Sequence, residues 1–303
     1  MRVIASAPGK LMLFGEHAVV YGFPCIVTAV SSRITVEVEK VDSGFKIEAP
    51  QVKDVRFIEE SVRFFKEKFD IKTGLNIKTK SEFSSQYGFG SSSAVTAAVL
   101  YGLNKLFSLN LTKRELFNFG YEINLRVQKV GSGFDIAAAI FGKTVYFVRA
   151  GKIILPLKIN ELPLVIGYSG IKADTPKIVQ ALKLKIEKNK RNFFSIFEEI
   201  KNIVEEAKVN LIKKNWTKIG QLMTKNHQLL QDLGVSTKKL DQMCQAATEA
   251  GAYGAKLSGA GGGDCMIALV DEKIRERVEK AIEKAGGQVI KVLPHALGVR
   301  IEK

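Results

Sequence analysis

The sequence predicts an α+β protein of two lobes, and three observations carry that prediction. An alternating stretch, "RITVEVEK" (33–40), reads as a half-buried strand early in the chain. In "FFSIFEEIKNIVEEAKVNLIKK" (193–214), Phe193, Phe197, Ile200, Val204, Ala207 and Leu211 fall on one helical stripe. Strand and helix patterns follow one another in both halves, with no low-complexity linker and no internal repeat between them. The expected division is an N-terminal lobe of residues 1–160 and a C-terminal lobe of residues 161–303.

The elements can be justified in order. In 33–40, Ile34, Val36 and Val38 share one face and Thr35, Glu37 and Glu39 the other, as a strand with one wet side requires. "RFIEESVRFFKEKF" (56–69) spaces Phe57, Val62, Phe65 and Phe69 as a helix. "GLNIKTKS" (74–81) is a weaker strand candidate. From Ser92, "SAVTAAVLYGLNKLF" is apolar, alanine-rich and long enough for a buried helix. A further helix over 113–129 has Thr112 as its N-cap. "KTVYFVR" (143–149) and "LPLVIGYSG" (162–170) read as strands. Beyond the 193–214 helix, "STKKLDQMCQAATEAG" (236–251) opens on a Ser/Thr cap and closes on glycine. "AKLSGAGGGDCMIALV" (255–270) runs from loop into strand, "DEKIRERVEKAIEKAGG" (271–287) is amphipathic, and "QVIKVLP" (288–294) is a last strand. The C-terminal lobe should therefore hold an antiparallel sheet with helices.

Composition narrows the function classes. Among 303 residues, 46% are hydrophobic and 25% charged, ordinary values for a globular chain with material for a core. No run approaches the roughly 20 apolar residues of a membrane span, and "MRVIASAPGK" lacks the pattern of a signal peptide. The three cysteines are widely spaced with no CxxC pair, so neither a disulfide framework nor a cysteine metal site is expected, and a reducing cytoplasm fits. The net charge of +15 favours anionic ligands. The lysines of "KIEKNKR" (185–191) alternate with acids and apolar residues, the pattern of a solvated helix face rather than of a nucleic-acid surface. Trp216 and the phenylalanines fall at core spacings, not as exposed stacking platforms.

Four short stretches carry chemistry. In "GFGSSSAV" (88–95), Gly88 and Gly90 permit close backbone approach, and Ser91, Ser92 and Ser93 open an apolar helix whose free N–H groups favour an anion. It is not a Walker A loop, because no Gly-Lys-Ser/Thr is present. The plain alternative is a capped buried helix. "SGAGGGD" (258–264) has more glycines than a tight turn needs, again suggesting close approach of a ligand. "SAPGKLMLFGEHAVVYG" (6–22) sets Lys10, Glu16 and His17 in an otherwise apolar segment, where charge is costly unless paired or functional. In "GSGFDIAAAIFG" (131–142), Asp135 is either a helix N-cap or a catalytic carboxylate.

These four stretches, in this order, resemble the GHMP family of small-molecule kinases (galacto-, homoserine, mevalonate and phosphomevalonate kinases) over nearly the whole chain. "APGKLMLFGEHAVVYG", "GFGSSSA" and "KLSGAGGGDC" match its three motifs. The resemblance implies a ribosomal S5 domain 2-like N-terminal lobe and a ferredoxin-like C-terminal lobe, with ATP and substrate between them. Within the family, "LFGEHAVVYG", "VIGYSGIKADTPKIV" and "GQLMTKNHQLLQDLGVSTKKLDQM" are most similar to archaeal mevalonate kinases. "QYGFGSSSAVT", "QKVGSGFDIAAAIFG" and "GAGGGDC" look more like phosphomevalonate kinase. Two positions depart from the mevalonate kinase pattern. The proline that usually precedes the second motif is missing, and Asn124 stands where a magnesium-binding glutamate often lies, 11 residues before Asp135.

What the resemblance implies is transfer of the ATP γ-phosphoryl group to a small hydroxy acid. The acceptor would be the 5-hydroxyl of mevalonate, or alternatively the phosphate of 5-phosphomevalonate. Asp135 would take or orient the proton of the attacking group, with Lys10 beside it to pair its charge and stabilise the transition state. Gly88, Gly90, Ser91, Ser92 and Ser93 would bind ATP phosphates, with Gly259, Gly261 and Gly262 completing the wall. Mg2+ would be held by Ser92 and, with Asn124 neutral, by Glu122. Glu16, His17, Tyr168 and Thr175 would face the substrate, and Lys129, Lys172 or Lys177 would meet a second phosphate if there is one. The expected setting is cytoplasmic, with no membrane or nucleic-acid partner and room for a homodimer. A non-enzymatic nucleic-acid-binding protein is the more remote alternative.

Overall fold

A computed structural model describes residues 1–51 and 54–302. The chain opens with β1 (Arg2–Phe14) and β2 (Pro24–Val41), a long antiparallel pair joined by a single helical turn at Ala18–Tyr21. From Ala5 to the end of β1, and over the first half of β2, burial runs almost without a break, so these stretches show no in/out alternation. β3 (Phe45–Glu48), α1 (Arg56–Phe69) and β4 (Gly74–Ser81) follow, β3 lying parallel to β4 and β4 antiparallel to β2. α2 (Ser91–Leu106) is apolar around most of its circumference and is accordingly buried, packed on β1, β2, α1 and α3 (Lys113–Gln128). α3 begins with a complete capping box between Thr112 and Glu115. α4 (Phe134–Phe141), β5 (Thr144–Val148) and β6 (Ile153–Pro156) finish this half, β5 pairing with the start of β2.

The second half starts with β7 (Leu164–Tyr168), followed by α5 (Thr175–Lys188), α6 (Lys190–Ile212), α7 (Trp216–Asp232) and α8 (Lys238–Glu249). β8 (Gly254–Ser258), β9 (Cys265–Leu269), α9 (Arg275–Lys284) and β10 (Gln288–Val289) complete a four-stranded antiparallel sheet of order β10-β7-β9-β8. The last strand, β11 (Arg300–Ile301), returns to the first sheet beside β1 and brings it to seven strands. Residues 160 and 161 fall between the two sheets, but this tail is shared with the first. Arg33 holds it there: its guanidinium donates to Leu297 O at 2.8 Å and Gly298 O at 2.7 Å as well as to Ser6 Oγ at 2.6 Å.

Several expected elements change length or are new. The 33–40 strand is only the second half of β2, and the final strand is just two residues of 288–294. β1, α5 and α7 had no counterpart in the sequence reading. Among the described residues, no helix is long and apolar enough to cross a membrane.

Candidate active site

The site forms where β1, the start of α2, the start of α4 and the loop between β8 and β9 converge. The β1–β2 register shifts twice, between Pro8 and Lys10 and between Met12 and Phe14. Such bulges re-aim side chains. Lys10 is 8% exposed. Its ammonium lies 3.3 Å from Asp135 Oδ1 and donates to Gly88 O at 2.9 Å, while its backbone N–H donates to Phe89 O at 2.9 Å. One lysine thus ties the catalytic candidate to the phosphate-loop candidate.

Gly90 is the N-cap of α2 at φ 72°, and no side chain caps that helix. A Cβ there would stand 3.1 Å from Lys10 Cε and 3.3 Å from Asp135 Oδ1, so only glycine both takes this turn and leaves room beside the pair. The first N–H groups of α2 are left without a capping side chain, next to the Lys10 ammonium, an arrangement suited to anionic oxygens. Asp135 occupies the first turn of α4 behind Gly133, and its carboxylate keeps 31% exposure. Partial exposure next to a buried cation is what a group that meets a substrate needs.

The serines divide. Ser91 and Ser92 are half-buried at the helix start. Ser93 turns inward, and its hydroxyl accepts from Asn124 Nδ2 at 2.9 Å. Asn124 therefore faces the start of α2, where the expected glutamate would be, but with a neutral amide. Glu122, expected to replace it as a metal ligand, is not brought there. Its carboxylate takes Arg126 Nη2 at 2.7 Å on the exposed side of α3. Two residues along a helix turn about 200°, so Glu122 and Asn124 look in opposite directions.

Glu16 is likewise corrected. It is 1% exposed and ion-paired to Lys256 in the interior, not turned to a substrate. Burial pushes the Glu16 carboxyl up and the Lys256 ammonium down, while their mutual attraction opposes both shifts. His17, at φ 60°, shares a hydrogen bond of 2.9 Å between Nε2 and Ala260 O, which requires the proton on Nε2. Burial lowers its pKa below the ordinary 6.5, so the ring is held neutral. His17 braces the glycine loop from behind. Gly259, Gly261 and Gly262 lie in that loop, and Gly262 N–H donates to Val235 O at 2.8 Å. Tyr168 is buried at the end of β7, its ring edge-on to Tyr87 with centroids 5.2 Å apart. Thr175 opens α5 at an exposed position. Of the lysines considered for a second phosphate, Lys177 is ion-paired to Asp174 at 3.0 Å and Lys129 lines a cavity of about 490 Å³ with Arg56, Arg63 and Arg126.

Asp264 was missed. Its Oδ2 lies 2.4 Å from where a Gly88 Cβ would be, and its Oδ1 accepts from Ala173 N at 2.9 Å. Its backbone N–H donates to Ile171 O at 2.7 Å. It joins the glycine loop, the segment after β7 and the phosphate-loop candidate. Burial raises its pKa, and Lys10 and Lys172 draw it back. An acid closing a glycine run was the available signal.

Comparison with known proteins shows the family. The GHMP kinases N terminal domain matches residues 56–143, and the GHMP kinases C terminal domain matches residues 207–288. The chain belongs to the GHMP kinase family and, as such, is a kinase that uses ATP. It is 38% identical to the mevalonate kinase of Pyrococcus abyssi over 331 aligned residues, covering 99% of this chain and 98% of that protein. The structure of L. major mevalonate kinase in complex with R-mevalonate superposes with a TM-score of 0.83 at 25% identity, over 98% of this chain and 96% of that one. Streptococcus pneumoniae phosphomevalonate kinase shares the fold, with a TM-score of 0.84 at 20% identity over 97% of this chain and 99% of that one.

Proposed function

We propose that the chain transfers the γ-phosphoryl group of ATP to the 5-hydroxyl of mevalonate. The observation that carries this reading is the Lys10–Asp135 pair, 3.3 Å apart and beside the uncapped start of α2. Phosphoryl transfer demands placement and charge neutralisation rather than covalent chemistry by the protein. The free N–H groups at Ser91 and Ser92 would hold the phosphate oxygens. Asp135, its carboxylate 31% exposed, would orient the hydroxyl and accept its proton. Lys10 would stabilise charge on the transferring group while pairing Asp135. Its hydrogen bond to Gly88 O fixes the lysine between the two.

Magnesium, bound with ATP, would neutralise phosphate charge. Ser92, half-buried at the start of α2, would be its protein ligand. Among the described residues there is no group of three or more acids, histidines or cysteines able to cage a metal, so phosphate oxygens and water would supply the remaining ligands.

Full-length identity of 38% to a mevalonate kinase supports mevalonate over its phosphorylated form as acceptor. With this reading go a cytoplasmic setting and no nucleic-acid partner; nine of the 18 phenylalanines, Phe14, Phe57, Phe64, Phe65, Phe83, Phe89, Phe117, Phe147 and Phe197, are buried and offer no stacking surface. A coupled ADP-release assay with mevalonate and with 5-phosphomevalonate tests the acceptor. Turnover of mevalonate is expected; a higher kcat/KM with 5-phosphomevalonate would reject the assignment.

A further inference from the structure

Glu16 and Lys256 are the one ion pair among the described residues with both side chains at 0% exposure. They stand 240 residues apart and join the two lobes. Lys256 Nζ also donates to Leu257 O at 2.6 Å, while Glu16 Oε2 has no partner. Removing two charges from water is costly, and apolar side chains of similar volume often serve stability as well. The pair therefore calls for a reason other than stability.

Its surroundings supply one. Ser258, two residues after Lys256, clasps the backbone of Met12, accepting from its N–H at 3.0 Å and donating to its C=O at 2.9 Å. His17, next to Glu16, bonds Ala260 O at 2.9 Å. On the far side, His227 Nδ1 accepts from Leu257 N at 3.3 Å, with Nε2 3.0 Å from Asp241 Oδ1. Residues 256–260, the end of β8 and the start of the glycine loop, are thus tied at three points to residues 12–17, the end of β1 and the turn after it, and the ion pair is the most deeply buried of the three.

We propose that Glu16 and Lys256 are positioning residues for phosphoryl transfer, holding the 259–263 loop in register with Lys10 and, through Asp264, with Gly88. This rests on the kinase reading above. Both side chains are at 0% exposure, so each acts through what it holds.

The test uses two variants of the full chain. E16Q keeps the shape of the side chain and removes its charge. By hydrogen exchange, the amides of 259–263 should open at least about tenfold faster while those of β9 stay as in wild type. E16L/K256M replaces the pair with apolar side chains of similar volume. Its Tm should stay near wild type, while kcat on mevalonate stays about 10- to 100-fold down, as misplaced reacting groups predict. A merely structural pair would let kcat recover together with Tm. E16L/K256M with wild-type kcat, or E16Q with unchanged loop exchange, overturns the proposal. If E16L/K256M does not fold, E16Q decides alone. Wild-type turnover is read in the same assay, so a failed acceptor assignment shows there and not as a variant effect.

Discussion

Replacing Asp135 with asparagine separates catalysis from architecture at one atom. Asp135 Oδ1 stands 3.3 Å from Lys10 Nζ. At that distance the attraction is about 5 kcal/mol for an effective dielectric near 20 and about 1 kcal/mol in bulk water. With the carboxylate 31% exposed, the loss falls between those limits. Lys10 is not stranded, because it keeps Gly88 O at 2.9 Å. The first turn of α4 also loses an acid, worth about 0.3–1 kcal/mol. D135N should therefore fold, with Tm lowered by less than about 10 °C. An amide cannot take the hydroxyl proton, so kcat should fall about 100- to 10,000-fold, equivalent to about 2.7–5.4 kcal/mol of barrier. KM for ATP should change by less than about threefold, because in the proposed arrangement the phosphate contacts come from α2 and not from Asp135. Steady-state kinetics varying ATP and mevalonate separately, beside a melting curve, read all three quantities. A folded D135N within about tenfold of wild-type kcat would refute the proton-transfer role.

Other expectations follow from the same geometry. G88A places a methyl group 2.4 Å from Asp264 Oδ2 at a φ of 70°, so it should raise KM for ATP about tenfold and cost about 1–3 kcal/mol in urea unfolding. His17 has a folded pKa below 6.5, so below that value the unfolded chain binds more protons and stability falls as the pH drops. H17N, which suits the φ of 60°, should flatten the loss of Tm between pH 7 and pH 5. R33M removes the guanidinium, whose pKa burial lowers to about 10, from Ser6, Leu297 and Gly298. It should cost about 3–5 kcal/mol and make residues 297–302 the first to be cut by protease.

What the sequence disclosed, and what it withheld, follows from how local each feature is. The phosphate-loop candidate, Lys10 and Asp135 were legible because small or charged residues interrupt apolar runs, and each interruption is visible within a few positions. α7 was not, because Gly220, Asn226 and His227 are buried on the face that should show an apolar stripe. α5 buries only Leu182 and Ile186, too few to mark a face. The first half of β2 is buried on both sides and shows no alternation to read.

Glu16 and Glu122 lie elsewhere than expected for two different physical reasons. Glu16 met a sound criterion, that a charge in an apolar segment is either paired or functional. The criterion cannot choose between the two when the partner, Lys256, lies 240 residues away and is itself embedded in a strand. Glu122 failed a criterion that could have been applied. On α3 the face toward α2 is fixed by Leu116, Gly120, Ile123 and Asn124, all buried, and the 3.6-residue turn carries Glu122 to the other side. An acid two places from a ligand position on a helix is no substitute for it. Under the proposed function, a protein ligand for magnesium would then be sought at the start of α2, at Ser92. Asn124, a neutral amide hydrogen-bonded to Ser93, would in that reading hold the helix start rather than supply charge.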